Sequence, residues 1–207
     1  GQLEVLEPRD KQRVEFFAKQ IIDLFSPTNY LATNPDALER AVETDGASLV
    51  QGMENLVRDI EAHHGNLLPT LSDPNAFHVG KNIGTTEGAV VFRNKMLELI
   101  QYSPTTEQQY RTPLIIFPPW INKFYILDLK EKNSLIKWIV DQGYTLFVVS
   151  WKNPDTSYAD VSLDDYVSQG YLEAIDKVKE VTGEAQINAI GSCIAGTPLA
   201  STLALLK

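Results

Sequence analysis

Gln186-Ile187-Asn188-Ala189-Ile190 runs into Gly191-Ser192-Cys193-Ile194-Ala195-Gly196, and a run of small, helix-forming residues follows from Ala200 to Leu206. The first five residues have the apolar bias of a short strand. The glycines mark a sharp turn, and the last run predicts a helix. Cys193, the single cysteine of the chain, stands at the tip of that turn. A strand that feeds a helix through a turn this tight needs small residues on either side, because the two backbones come close. Gly191, Ala195 and Gly196 meet that need. A nucleophile held there clears the end of a sheet and can meet a substrate. The plain alternative, a buried inert thiol, fits a glycine-bounded turn poorly.

Upstream, strand-like and helix-like runs alternate. Gly88–Phe92 and Leu97–Tyr102, joined by Arg93-Asn94-Lys95, predict an antiparallel hairpin. Thr112–Phe117 predicts a buried strand stopped by Pro118-Pro119. Lys130–Gln142 predicts a helix ended by Gly143, Tyr144–Ser150 a second apolar strand, and Leu163–Val181 a helix ended by Gly183. Such alternation calls for a mainly parallel sheet covered on both faces. The first third reads instead as helices. Val14, Phe16, Phe17, Ile21, Ile22, Leu24 and Phe25 line one face, Asn34 with Pro35 opens a second helix, and Ala47–Ala62 carries a third. The expected organisation is a helical region over residues 1–77 and, over 78–207, the front half of an α/β domain. A nucleophile on a strand–turn–helix elbow is the mark of the α/β-hydrolase superfamily, so an α/β-hydrolase-type sheet, incomplete in this chain, is the fold expected.

Bulk composition bounds the partners. Of 207 residues, 43% are hydrophobic and 22% charged, as in an ordinary soluble globular protein. No run is long and apolar enough for a transmembrane segment, and Gly1–Pro8 lacks the pattern of a signal peptide. One cysteine excludes an internal disulfide and suits a reducing cytoplasm. The net charge of −9 argues against nucleic acid as a main partner. No His/Cys/Asp cluster has metal-ligand spacing and no phosphate loop is present, so neither metal nor cofactor is expected.

The element chosen as nucleophile narrows the chemistry. A serine acyl-enzyme is an oxygen ester suited to attack by water. A cysteine acyl-enzyme is a thioester, and acyl exchange between thiols is nearly isoenergetic. Cys193 therefore suits an acyltransferase fed by a thioester such as an acyl-CoA. The developing oxyanion needs two amides, one from the residue after the nucleophile and one from the loop after an early strand. Ile194 supplies the first. In Pro119-Trp120-Ile121 the proline cannot donate, which leaves Trp120 or Ile121, and Ile121 is taken as the candidate. Lys81, Arg93, Lys123 and Lys152 could meet phosphates, though each alone is more often a solvated charge. Trp120, Phe124, Tyr125 and Trp151 could line an acyl pocket or simply pack a core. Asp128, Asp164 and Asp165 precede the nucleophile, and capping or packing is their better assignment.

Several segments together carry a family likeness. Pro118–Leu129 (PPWINKFYILDL), Ser150-Trp151-Lys152-Asn153-Pro154, Thr86–Phe92 and Asn29–Pro35 resemble the signatures of polyhydroxyalkanoate synthases, and the turn at Cys193 resembles that family's Gly-x-Cys-x-Gly-Gly box. The likeness runs from about Phe16 to the end and is nearest to the class I enzymes. It implies an acyltransferase that polymerises (R)-3-hydroxyacyl-CoA, usually 3-hydroxybutyryl-CoA, and releases CoA. Cys193 would carry the growing polyester as a thioester, and the hydroxyl of the next monomer, deprotonated by a histidine, would attack it. It further implies a homodimer at full length, on the surface of cytoplasmic polyester granules. The chain departs from the pattern at Ser192, often aromatic in the family, and at Ala195, a glycine there. The catalytic Asp and His that follow the nucleophile in this superfamily are also missing. His63, His64 and His78 all lie upstream. The chain is thus expected to be an N-terminal fragment without turnover of its own. Two other functions remain open. One is a cysteine hydrolase or depolymerase of the same fold. The other is a non-catalytic granule-binding or dimerisation module based on the helical part.

Overall fold

The computed structural model describes residues 6–207, so most of the stretch read for a leader, Gly1–Val5, lies outside the described residues. The chain divides into two compact units, the first ending at Asp73 and the second running from Pro74 to Lys207.

The first unit is helical. α1 (Pro8–Leu24) starts on a proline and closes against the Asn29 side chain, whose amide donates to the carbonyls of Asp23 (2.7 Å) and Leu24 (3.1 Å). α2 (Pro35–Glu43) carries the predicted cap: the Asn34 side chain accepts from the amides of Asp36 and Ala37. Asp45 and Gly46 turn the chain at positive φ into α3 (Ala47–Ala62). None of these three helices has a buried residue. Phe16, Phe17, Ile22 and Phe25 all stand exposed. The periodicity that marks these helices is real, but among the described residues it leaves each helix without a buried position.

The second unit is built on a five-stranded sheet in the order β1-β2-β6-β3-β7. β1 (Gly88–Arg93) and β2 (Leu97–Tyr102) form the predicted hairpin. The Asn94 side chain closes it, accepting from the amides of Met96 (2.8 Å) and Leu97 (2.9 Å). After β3 (Tyr110–Phe117) comes a small ribbon of β4 (Asp128–Lys130) and β5 (Asn133–Ser134), then α4 (Leu135–Asp141) and β6 (Tyr144–Trp151). A helical segment spans α5 (Leu163–Asp165), a π-helical turn (Tyr166–Leu172) and α6 (Glu173–Thr182), and leads to β7 (Asn188–Gly191) and α7 (Gly196–Leu205). β2 is antiparallel to both β1 and β6, whereas β3 is parallel to both β6 and β7. Every strand but β2 therefore runs the same way, and the sheet is mixed and mostly parallel.

The crossovers β3-α4-β6 and β6-α6-β7 travel in opposite directions along the sheet. Right-handed connections then lay α4 and α6 on opposite faces. Alternate residues sort accordingly. Leu114, Ile116, Leu146 and Val148 pack with Ile136, Ile139 and Val140 of α4. Ile115, Phe117, Phe147, Val149 and Trp151 pack with Tyr171, Ile175, Val178, Ala195 and Leu199.

Three expectations need correction. The helix predicted over Lys130–Gln142 begins only at Leu135, because Ser134 caps it by accepting from the Lys137 amide (2.8 Å) and the residues before it form the β4–β5 ribbon. Asp128 anchors that ribbon: fully buried, it accepts from the amide and hydroxyl of Thr86 (3.0 and 2.9 Å). The helix predicted over Leu163–Val181 is interrupted by the π-helical turn. The helix after the nucleophile starts at Gly196 rather than Ala200, preceded by a single 3-10 turn over Cys193–Ala195.

Candidate active site

β3 and β7 lie side by side, with Phe117 opposite Gly191. The loop that begins at Pro118 and the turn that begins at Ser192 therefore leave the same end of the sheet as neighbours, the carboxyl end where ligands of parallel sheets bind. The Ser192 amide donates to the Phe117 carbonyl (3.5 Å) across the two exits. This register brings the segments of all three predicted site residues, Cys193, Ile194 and Ile121, to one place.

Cys193 is exposed at the tip of its turn, with φ of +54°. That is the left-handed region, which costs an ordinary L-residue about 1–2 kcal/mol. The cramped geometry behind it explains the small residues. A Cβ added to Gly191 would sit 2.8 Å from the Ala195 carbonyl oxygen and 3.1 Å from Gly196 Cα. Ala195, where the family-like pattern has glycine, is fully buried in the core, so its methyl has a place to go. Its carbonyl accepts a hydrogen bond from the Tyr171 hydroxyl (3.1 Å). Because the 3-10 turn starts at Cys193, the amides of Cys193 and Ile194 have no acceptor inside it. Free amides at the start of a helical segment favour negative charge near them. Ile121 is 88% exposed in the neighbouring loop. The loop is pinned at its root, where the buried Trp151 indole donates to the Pro118 carbonyl (2.7 Å).

The aromatic candidates separate. Trp120 packs on Tyr166 with ring centroids 4.5 Å apart, and Trp151 lies 5.5 Å from Tyr166, both on the nucleophile's face of the sheet. Phe124 packs with the opposite core, with Tyr125 edge-on to it. Of the basic candidates, Lys123 bonds the Asn153 side chain, and Lys152 pairs with Asp155 (3.5 Å) over the Tyr158 ring. Both follow strands at the nucleophile's end. Arg93 pairs with Glu98 (2.6 Å) at the far edge. Lys81 lines a cleft of about 550 Å3 with Lys130 and Lys137. That cleft also takes in residues just before β1 and just after β2, so it opens at the other end of the sheet from Cys193. Asp165 forms a capping box with Ser162, whose amide holds its carboxyl below the usual carboxylate range. Among the described residues no cluster of His, Cys, Asp or Glu could hold a metal ion, and no helix is long and apolar enough to cross a membrane.

Sequence reading missed Tyr166 and Tyr171, which hold the two loops from behind. Burial pushes the Tyr171 hydroxyl well above its ordinary value of 10, so it is a donor at any neutral pH. The one signal was Gly170, a glycine inside an otherwise good helix.

Residues 1–139 match the family model described as the poly-beta-hydroxybutyrate polymerase (PhaC) N-terminus. The chain belongs to this family. Among similar proteins, the poly(3-hydroxyalkanoate) polymerase of Methylorubrum extorquens is 46% identical over 201 residues, which cover 97% of this chain and 33% of that protein. The poly(3-hydroxyalkanoate) polymerase subunits PhaC of Rhizobium meliloti (strain 1021) and Cupriavidus necator are 44% and 42% identical, over 98% and 97% of this chain and 33% of each relative. The chain thus spans about a third of the length of the curated relatives it matches. The polyhydroxyalkanoate polymerase likeness carried by Pro118–Leu129 and the other signatures is borne out. The family-model match ends at residue 139, before Cys193, whereas the alignments to these relatives cover 97% and 98% of the chain.

Proposed function

We propose that this chain is the nucleophile-bearing part of an acyltransferase that polymerises (R)-3-hydroxyacyl-CoA into polyhydroxyalkanoate, and that its sheet is of the α/β-hydrolase type. The observation that carries the reading is the turn at Cys193: a non-glycine residue at φ +54°, exposed at the end of a parallel strand beside the exit of its neighbour. In this mechanism Cys193 Sγ attacks the thioester carbonyl of the acyl-CoA. The carbonyl oxygen gathers negative charge and accepts from the Ile194 and Ile121 amides, the CoA thiolate departs, and the acyl group stays on Cys193 as a thioester. The hydroxyl of the next (R)-3-hydroxyacyl-CoA, deprotonated by a histidine, then attacks that thioester. The Sγ–acyl bond breaks, Cys193 leaves as thiolate and takes up the proton, and the chain, longer by one ester bond, is carried as the new acyl-CoA until Cys193 takes it back with release of CoA. Acyl-CoA is the substrate, and no cofactor or metal is required.

In this reading the histidine that serves as base is sought in the whole polymerase, of which the chain spans about a third of the length of its curated relatives. The 207 residues alone are expected to release no CoA. In the whole protein we place the activity in a homodimer on the surface of cytoplasmic granules. The exposed apolar side chains of α1 favour a second role for the helical unit, docking to that surface. A fluorescent fusion of residues 1–80 recruited to granules supports that role, and a diffuse signal contradicts it.

The test is CoA release from (R)-3-hydroxybutyryl-CoA by the whole polymerase. Cys193→Ala abolishes release on this reading, and retained release overturns it. Loss of the acyl group to water, rather than its transfer to a hydroxyacyl acceptor, would favour the hydrolase.

A further inference from the structure

The π-helical turn Tyr166–Leu172 touches both halves of the site described above. Tyr166 packs under Trp120 of the loop after β3 (4.5 Å). Gly170 backs onto the Trp151 indole, where a Cβ would lie 2.9 and 3.0 Å from the ring's Cζ3 and Cη2. That indole donates to the Pro118 carbonyl at the root of the same loop (2.7 Å). Tyr171 stacks on Phe117, the last residue of β3 (4.3 Å), and its hydroxyl donates to the Ala195 carbonyl inside the nucleophile turn (3.1 Å). One helical turn therefore contacts the loop of Ile121 and the turn of Cys193 at once.

The π geometry is what allows this. At 3.6 residues per turn, residues five apart on an α-helix face about 140° away from each other. A turn closed by i→i+5 bonds brings the fifth residue back toward the first. Tyr166 and Tyr171 are five apart, with Gly170 between them on the shared face. The wider turn is held from outside as well, since the Asn94 side chain donates to the Gln169 carbonyl (2.7 Å) and to the Glu173 carboxylate (2.7 Å).

We propose that this π-helical turn is the positioning element of the reaction, with Tyr171 holding the nucleophile turn and Gly170 seating Trp151 so that the neighbouring loop keeps its amide aimed at the same oxyanion. The inference rests on the reading of Cys193 as the acyl-carrying nucleophile. Tyr171 and Trp151 act through the backbone they bond, not on the substrate, so their loss is felt in the chemical step more than in binding.

The test compares Tyr171→Phe and Trp151→Phe with the parent in the whole polymerase, with kcat expressed per folded molecule. Each substitution keeps an aromatic ring and deletes one donor. Tyr171→Phe is expected to lower kcat about ten-fold while KM for (R)-3-hydroxybutyryl-CoA stays within about two-fold. The double variant loses less than the product of the two single losses, because both act on one loop pair. Unchanged kcat per folded molecule in Tyr171→Phe, so that any lost activity is accounted for by fewer folded molecules, or multiplicative effects in the double variant, would overturn the proposal. If Tyr171→Phe does not fold, Trp151→Phe is judged by the same kcat and KM criterion. Cys193→Ala run alongside separates the two claims: activity in that variant removes the nucleophile reading itself, whatever the tyrosine does.

Discussion

Cys193 occupies a backbone conformation that suits glycine, and the protein holds it there with bonds made by its neighbours. Ser192 donates to Phe117, Tyr171 donates to Ala195, and Gly191 and Gly196 admit the close approach behind it. Strain at one residue held by well-packed surroundings is the expected pattern for a reacting group. It has a measurable consequence. A left-handed L-residue costs about 1–2 kcal/mol, and glycine gives back about 0.5–1 kcal/mol through its freer unfolded chain. Cys193→Gly should therefore be more stable than Cys193→Ala by about 0.5–1 kcal/mol in urea denaturation. Equal stability, or a more stable alanine variant, would mean the turn is relaxed. The position of Cys193 was legible in the sequence, because small residues on both sides of it, after an apolar run and before a helix-forming one, mark a tight strand-to-helix turn. Tyr171 was not, because its role depends on a helical register that departs from 3.6 residues per turn.

At the scale of elements, the strands were the most legible part. β3 and β6 are apolar runs bounded by prolines and glycine, and the sheet buries both of their faces. Helix boundaries were less legible. α4 opens at Leu135, five residues later than predicted, although Lys130, Glu131 and Lys132 are good helix formers, because the β4–β5 ribbon ties up Lys130 and Asn133 and the Ser134 hydroxyl caps the helix after them. The hairpin turn shows how one side chain can carry an element junction. Asn94 accepts from two amides of its own turn and donates to the π-helical turn and Glu173. Asn94→Ala strands those amides and should cost about 2 kcal/mol in the denaturation free energy. A cost near zero would show that water replaces the asparagine without penalty.

For the whole molecule, the two units differ in how much they bury. The second unit has a core on each face of its sheet, whereas the helices of the first have no buried residue among those described. Periodicity revealed those helices but could not say whether their faces are covered, because it records amphipathicity and not the partner. The second unit also sets an alkaline limit. Burial raises the Tyr102 and Tyr171 hydroxyls well above 10, with the Asp128 charge adding to the shift at Tyr102. The unfolded chain loses those protons near pH 10 while the folded chain keeps them, so stability is full below that pH and falls as pH rises above it. The urea midpoint should decline from pH 9 to pH 11, and less steeply in Tyr102→Phe; a flat profile would contradict the burial of these hydroxyls. The central claim, that Cys193 carries the acyl chain, is tested most directly by stopping the whole polymerase during turnover of (R)-3-hydroxybutyryl-CoA and mapping the adduct by peptide mass spectrometry. The account predicts 3-hydroxybutyryl units on the peptide containing Cys193, removed by neutral hydroxylamine and absent from Cys193→Ala. An acyl group on any other residue, or polymer made by the alanine variant, would contradict it.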